Sequence, residues 1–162
     1  MRETTLCYIE RDNCYLLLHR IKKKNDVNQD KWVGVGGGLE ENETPEACLL
    51  REVKEETGLS LTDYRYCGRI DFECDLYPPE IMHLYHATGF SGDMLPDCPE
   101  GVPMWIKKSE YLSLPMWEGD RIFLKLMEEG APFFHLSLSY IGDKLQKAVL
   151  NGEALSLTPY GG

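Results

Sequence analysis

Three glutamates in the run LREVKEETGL, Glu52, Glu55 and Glu56, are spaced i, i+3 and i+4. On a helix turning about 100° per residue they share one patch, where like charges repel one another. A cation offsets that repulsion. Oxygen-only ligands of this kind suit Mg²⁺ or Mn²⁺, whereas zinc prefers nitrogen and sulfur. Mg²⁺ held this way keeps open positions that phosphate oxygens can fill. The chemistry in view is metal-assisted attack on a phosphoryl group. Taken alone, E-x-x-E-E is first of all a solvated acidic face.

The neighbouring residues say how that patch is positioned. Thr44 offers an N-cap oxygen, Pro45 suits the first helical position and Gly58 the C′ position, which predicts a helix over about 45 to 57. Leu49, Leu50 and Val53 share an adjoining arc and should pack on a sheet. Ahead of the helix stand Gly34, Gly36, Gly37 and Gly38. Leu39 breaks any G-x-G-x-x-G pattern, and no Gly-Lys-Ser/Thr ending is present, so neither a dinucleotide fingerprint nor a P-loop is supported. A tight turn without Cβ atoms, open to a cation at its carbonyls, is the expectation.

Composition narrows the partners. A formal net charge of −10 argues against a long nucleic acid, which needs a basic stripe. It allows a small phosphorylated ligand whose charge metal ions compensate. The six cysteines form no C-x-x-C pair, and with no signal peptide they read as reduced thiols of a cytoplasmic protein. No apolar run approaches the roughly 20 residues of a membrane span. His83 and His86 lie three apart in a strand-like run and should face opposite ways, while His19 and His135 lack ligand-like neighbours. A zinc site is therefore not expected.

Around the acidic helix, TTLCYIERDNCYLLLHRI reads as two paired strands joined at the turn Arg11-Asp12-Asn13. KWVGVGGG reads as a short strand running into a turn. Further strand-like runs stand at YRYCGRIDFEC, IMHLYHATGF, VPMWIKK and FFHLSLSYI, with a second helix from Trp117 to Glu129. The pattern predicts an α/β (α+β) protein, one domain over residues 1–155 with a flexible tail at 156–162. Monomer and homodimer are both compatible with it.

The spacing G-x5-E-x7-R-E-U-x-E-E-x-G-U, with U a bulky aliphatic residue, is met at Gly37, Glu43, Arg51, Glu52, Val53, Glu55, Glu56, Gly58 and Leu59. In this the chain resembles the Nudix hydrolases. The resemblance implies the Nudix fold, a mixed β-sheet core sandwiched by helices, with a catalytic loop–helix–loop at residues 37–59. It implies Mg²⁺-dependent cleavage of a diphosphate joined to a nucleoside-like group. By the family's pattern Glu52, Glu55 and Glu56 hold metal with the help of a glycine carbonyl, here assigned to Gly37. Arg51 orients the carboxylates and Glu43 braces the motif. For the proton-accepting base, Glu56 and Glu100 both stay open. Glu100, in DCPEGVPMW, precedes a Trp-containing strand like that of MutT-type members, where a loop glutamate approaches the metals; otherwise it is a solvent-exposed acid.

Outside the motif, NDVNQDKWVGVGG and LSLPMWEGDRIFL resemble bacterial 8-oxo-dGTP diphosphatases of the MutT type. That resemblance implies hydrolysis of 8-oxo-dGTP to 8-oxo-dGMP and pyrophosphate. It places Trp117 against the purine face and Asp120 at its edge, where an 8-oxo purine carries an N7–H donor that guanine lacks. Phe72 would wall the base pocket and Lys23 would lie on the phosphate side. Each has a plainer reading: Trp117 and Phe72 as core, Asp120 as a helix N-cap, Lys22 to Lys24 as a solvated loop. Val33 and Gly119 depart from the human-type pattern, which has Asn and a second acid there. A diadenosine-polyphosphate hydrolase is the alternative, with Tyr77 18 residues beyond Leu59. A nucleotide-binding domain without turnover is disfavoured, because every motif carboxylate is present.

Overall fold

The computed structural model describes residues 2–20, 31–96, 98 and 101–157. Alternation along the first hairpin sets the two apolar layers of the fold. β1 (Arg2–Arg11) and β2 (Cys14–His19) pair antiparallel, with Arg11 opposite Cys14. Between them Asp12 and Asn13 take φ of 51° and 62°, the left-handed backbone of a two-residue hairpin turn, which short polar side chains tolerate. Tyr8, Tyr15 and Leu17 enter one apolar cluster, while Cys7, Ile9, Leu16 and Leu18 enter another. Period-two alternation puts these sets on opposite faces. Both faces are apolar, so both must be covered.

Helices cover them. α1 (Pro45–Thr57) lays Leu49 and Val53 on Cys7, Ile9, Leu16, Leu18 and Val35. α3 (Glu118–Glu128) lays Ile122, Phe123, Leu124 and Met127 on Tyr8, Ile70, Leu84, Leu136 and Leu138. Full burial of a side chain such as Phe123 is worth about 1.5–3 kcal/mol. Leu50, expected with Leu49 and Val53 against the sheet, is 38 % exposed. Its Cβ lies one position beyond the buried stripe, at the helix edge.

The remaining strands are β3 (Trp32–Val33), β4 (Val35–Gly38), β5 (Ser60–Cys74), β6 (Glu80–Ser91), β7 (Val102–Lys107), β8 (Phe134–Ile141), β9 (Lys144–Leu150) and β10 (Glu153–Ala154). A short α2 (Lys108–Tyr111) comes directly after β7. Among the described residues the sheet runs β10-β9-β8-β5-β6-β1-β2-β3, with β4 beside β1 and β7 beside β2. β1 with β6 and β5 with β8 are parallel pairs in an otherwise antiparallel sheet. The mixed sheet between helices is the expected Nudix fold.

Two expectations need correction. The glycines after Val35 form no tight turn: Gly36, Gly37 and Gly38 lie in β4, paired with Leu6, Thr5 and Thr4. No positive φ occurs at 34–38. Close approach is what requires the missing side chains, since a Cβ on Gly36 would lie 1.8 Å from the Thr5 carbonyl oxygen. β9, β10 and α2 lie outside the expected elements; β9 comes after the Gly142-Asp143 turn and buries Leu145 and Ala148. Lys23, Glu100 and the tail from residue 158 lie outside the described residues.

Candidate active site

α1 begins and ends as its sequence dictates. Thr44 Oγ1 accepts the Ala47 N–H at 3.1 Å, Pro45 opens the helix, and Gly58 closes it at φ 82°. These caps hold the acidic run in fixed rotation, with Val53 buried against the sheet, Glu52 facing β4 and Glu55 turned to solvent.

Arg51 gathers the acids. Its Nε and Nη2 each donate to Glu43 at 2.8 Å, a two-pronged pair of the strong kind. Nη1 donates to Glu52 Oε1 at 2.7 Å and reaches Glu55 Oε2 at 3.4 Å, while Nη2 also donates to the Gly38 carbonyl at 3.1 Å. Arg51 with the Glu40 N–H holds the Glu43 carboxyl down at about 2. One guanidinium thus ties the loop before α1 to two carboxylates on it.

β4 supplies the facing wall. A Cβ on Gly37 would stand 2.5 Å from Glu52 Cδ and 2.6–2.7 Å from both its oxygens. The Gly37 backbone therefore lies directly against the Glu52 carboxylate, an approach only glycine allows. Cys48 Sγ donates to the Gly37 carbonyl at 3.4 Å and lies 3.4 Å from Thr5 Oγ1.

Whether these residues suit a divalent cation is a matter of donor chemistry. Glu52, Glu55, Glu56 and the Gly37 carbonyl would offer only oxygen donors, the type Mg²⁺ takes, and the bare Gly37 lets its backbone approach the Glu52 carboxylate. The fit is good. Among the described residues no three carboxylate, imidazole or thiol groups converge as a finished cluster. Arg51 Nη1 binds both Glu52 and Glu55, the latter by a 3.4 Å contact to a side chain 59 % exposed. Glu56 differs from both, being only 2 % exposed.

Beside this wall lies a cavity of about 390 Å³. Gly36 and Gly37 form one side of it, and Phe72, Trp117, Asp120, Leu138 and Tyr140 form the interior. Phe72, Trp117 and Tyr140 pack as an aromatic trio, with centroids 5.0–5.5 Å apart. Trp117 is both core and lining. Phe72 is likewise both, packed on the core and facing the cavity. Asp120 is not the helix cap: the N-cap position is Trp117, and Asp120 sits three residues on, 7 % exposed. Burial pushes its carboxyl up to about 7, against the lowering effect of Arg121 and Lys31.

The structure thus brings together Gly37, Arg51, Glu52 and Glu55 on one side and Phe72, Trp117 and Asp120 on the other, with Glu56 buried on the helix that carries Arg51, Glu52 and Glu55. Further neighbours carry little or no signal in the sequence. Lys31 Nζ lies 4.9 Å over the Trp117 ring, Tyr140 lines the cavity, and Arg2 and Arg20 line it too. Only the inward alternation of β8 hints at Tyr140. Val33 lines the cavity where the human-type pattern has an amide. His83 and His86 do face opposite ways: His83 contacts Tyr66 and Glu3, and His86 contacts Glu10.

Comparison with known proteins gives a consistent picture. A family profile described as NUDIX domain matches residues 1–127. The Nudix hydrolase YvcI of Bacillus subtilis is 26 % identical over 144 residues, 86 % of this chain and 87 % of that protein. The oxidized purine nucleoside triphosphate hydrolase of Mus musculus is 30 % identical over 113 residues, 68 % of this chain and 71 % of that protein. Among solved structures, a mutator MutT protein from Bacillus halodurans superposes with a TM-score of 0.83 at 27 % identity, covering 94 % of this chain and 99 % of that one.

Proposed function

Because the chain belongs to the Nudix hydrolase family, we propose that it is a Mg²⁺-dependent nucleoside triphosphate pyrophosphohydrolase acting on 8-oxo-dGTP. The products are 8-oxo-dGMP and pyrophosphate. One observation carries this reading: Gly37 is shared, its backbone lying against the Glu52 carboxylate and walling the aromatic cavity that holds Asp120. A base in the cavity would direct its phosphates across β4 toward the acidic face of α1. The similarity to oxidized purine nucleoside triphosphate hydrolases supports the substrate class.

In this reading residues 1–155 form the catalytic domain, and Glu52, Glu55, Glu56 and the Gly37 carbonyl hold the cation. When bound, Mg²⁺ neutralises the non-bridging oxygens and acidifies water. Arg51 keeps Glu52 and Glu55 oriented from the far side. Glu56 takes the proton of the attacking water on a carboxylate oxygen; a new P–O bond forms, the anhydride bond breaks, and pyrophosphate leaves. Glu100 is the competing base. Trp117 and Phe72 hold the purine, Asp120 accepts from its edge, and Lys23 assists the phosphates. A buried acceptor discriminates because the wrong base leaves it unpaired.

Tyr77 favours a second reading, since it lines the same cavity, and a tyrosine there marks some diadenosine-polyphosphate hydrolases. Turnover of 8-oxo-dGTP, dGTP, ADP-ribose and diadenosine polyphosphates with Mg²⁺ separates the two. Highest kcat/KM for 8-oxo-dGTP is expected. Preference for a dinucleotide would overturn the substrate and leave the hydrolase class standing.

A further inference from the structure

Gly119 and Tyr140 meet inside the cavity wall in a way that bears on which purine fits. The Gly119 N–H donates to the Tyr140 phenol oxygen at 2.7 Å. A Cβ at 119 would stand 2.7 Å from that oxygen and 2.5 Å from Leu138 Cδ1. No side chain can grow from 119 while the phenol stays there. Tyr140 is 4 % exposed and lines the same cavity as Asp120. Its oxygen accepts one hydrogen bond and still carries its own proton, for which no acceptor occurs among the described residues. Burial and the nearby Asp120 hold the phenol well above its usual value, so that proton stays on at any working pH. A buried donor without a partner favours a ligand that supplies an acceptor.

Resting on the function proposed above, we infer that Tyr140 is a specificity-determining residue, donating its O–H to the oxygen at position 6 of the purine beside the N–H that Asp120 accepts. The pocket then offers one acceptor and one donor side by side. In 8-oxoguanine the 6-oxygen is flanked by N–H groups at both N1 and N7, so an acceptor adjoins a donor on either edge. In 8-oxoadenine position 6 carries an amino donor, which a phenol O–H opposes. Tyr140 therefore selects 6-oxo over 6-amino bases whichever edge enters.

The test is calorimetric binding of 8-oxo-dGMP and 8-oxo-dAMP, products that cannot turn over, to the wild type, Tyr140→Phe and Gly119→Ala. The wild type should prefer 8-oxo-dGMP. Tyr140→Phe should weaken 8-oxo-dGMP roughly tenfold, the usual net worth of one hydrogen bond, and leave 8-oxo-dAMP unchanged, so the preference collapses. Gly119→Ala, whose methyl must displace the phenol, should collapse it too, and decides the matter if thermal melting shows Tyr140→Phe unfolded. An intact preference in a folded variant, even with both affinities reduced, means Tyr140 only caps α3 and sinks the inference alone. Wild-type protein that binds neither monophosphate while cleaving a dinucleotide overturns the functional reading, and this inference with it.

Discussion

Two carboxylates, Glu56 and Asp120, are the ones the fold buries among the described residues, and each invites a different experiment. Glu56 lies on α1 and is almost wholly buried. Glu56→Gln keeps its shape and removes its basicity, so kcat should fall by roughly 10²-fold or more. Wild-type turnover in that variant would hand the base to Glu100. Asp120 is held neutral by burial up to about pH 7, against 3.8 for a free side chain. The native state therefore keeps a proton that the unfolded chain releases, and stability declines as pH rises from about 3.8 to 7. Asp120→Asn has no such proton to lose. Its Tm relative to the wild type should climb between pH 5 and pH 8, by about 2–4 °C for each 1 kcal/mol relieved. A constant difference across that range would mean Asp120 ionises like an exposed acid.

At the scale of elements, α1 and β4 divide the labour. α1 brings charge and β4 brings an edge bare enough to approach it. The helix ends are readable in the sequence because capping is local: Thr44, Pro45 and Gly58 act on their own backbone. Thr44→Ala removes the acceptor of the Ala47 N–H and should cost about 1 kcal/mol. That corresponds to a Tm lower by about 2–4 °C, with KM little changed for a helix that still folds. An unchanged Tm would show that packing of Leu49 and Val53 alone sets the helix start. The glycine strand reads as a turn in the sequence for the opposite reason. What excludes side chains at Gly36 and Gly37 is Thr5 and Glu52, which are distant in sequence.

Across the whole molecule, a strongly acidic chain offers a polyanionic substrate little attraction of its own. Arg2 and Arg20 on the cavity rim are few against a net charge of −10. Divalent cations supply the balance in the proposed chemistry. Hydrolysis should vanish with excess chelator and return on adding Mg²⁺, assayed by pyrophosphate release. Undiminished turnover in chelator would reject the metal assignment for Glu52, Glu55 and Glu56 together. Among the described residues no helix is long and apolar enough to cross a membrane.

The amino-acid sequence alone determined the acidic helix, its two caps and the first hairpin, because each depends on neighbours within a turn or two, and it carried the spacing from Gly37 to Leu59 that marks the family. It also named Trp117 and Asp120, though not whether they were core, cap or pocket. Only the tertiary structure decided that. It set β8 beside β5 and β6 beside β1 in parallel, closing the cavity around Asp120, and it put the Tyr140 phenol where a side chain at 119 would have stood. Such contacts join residues far apart in the chain, and local propensity carries no record of them.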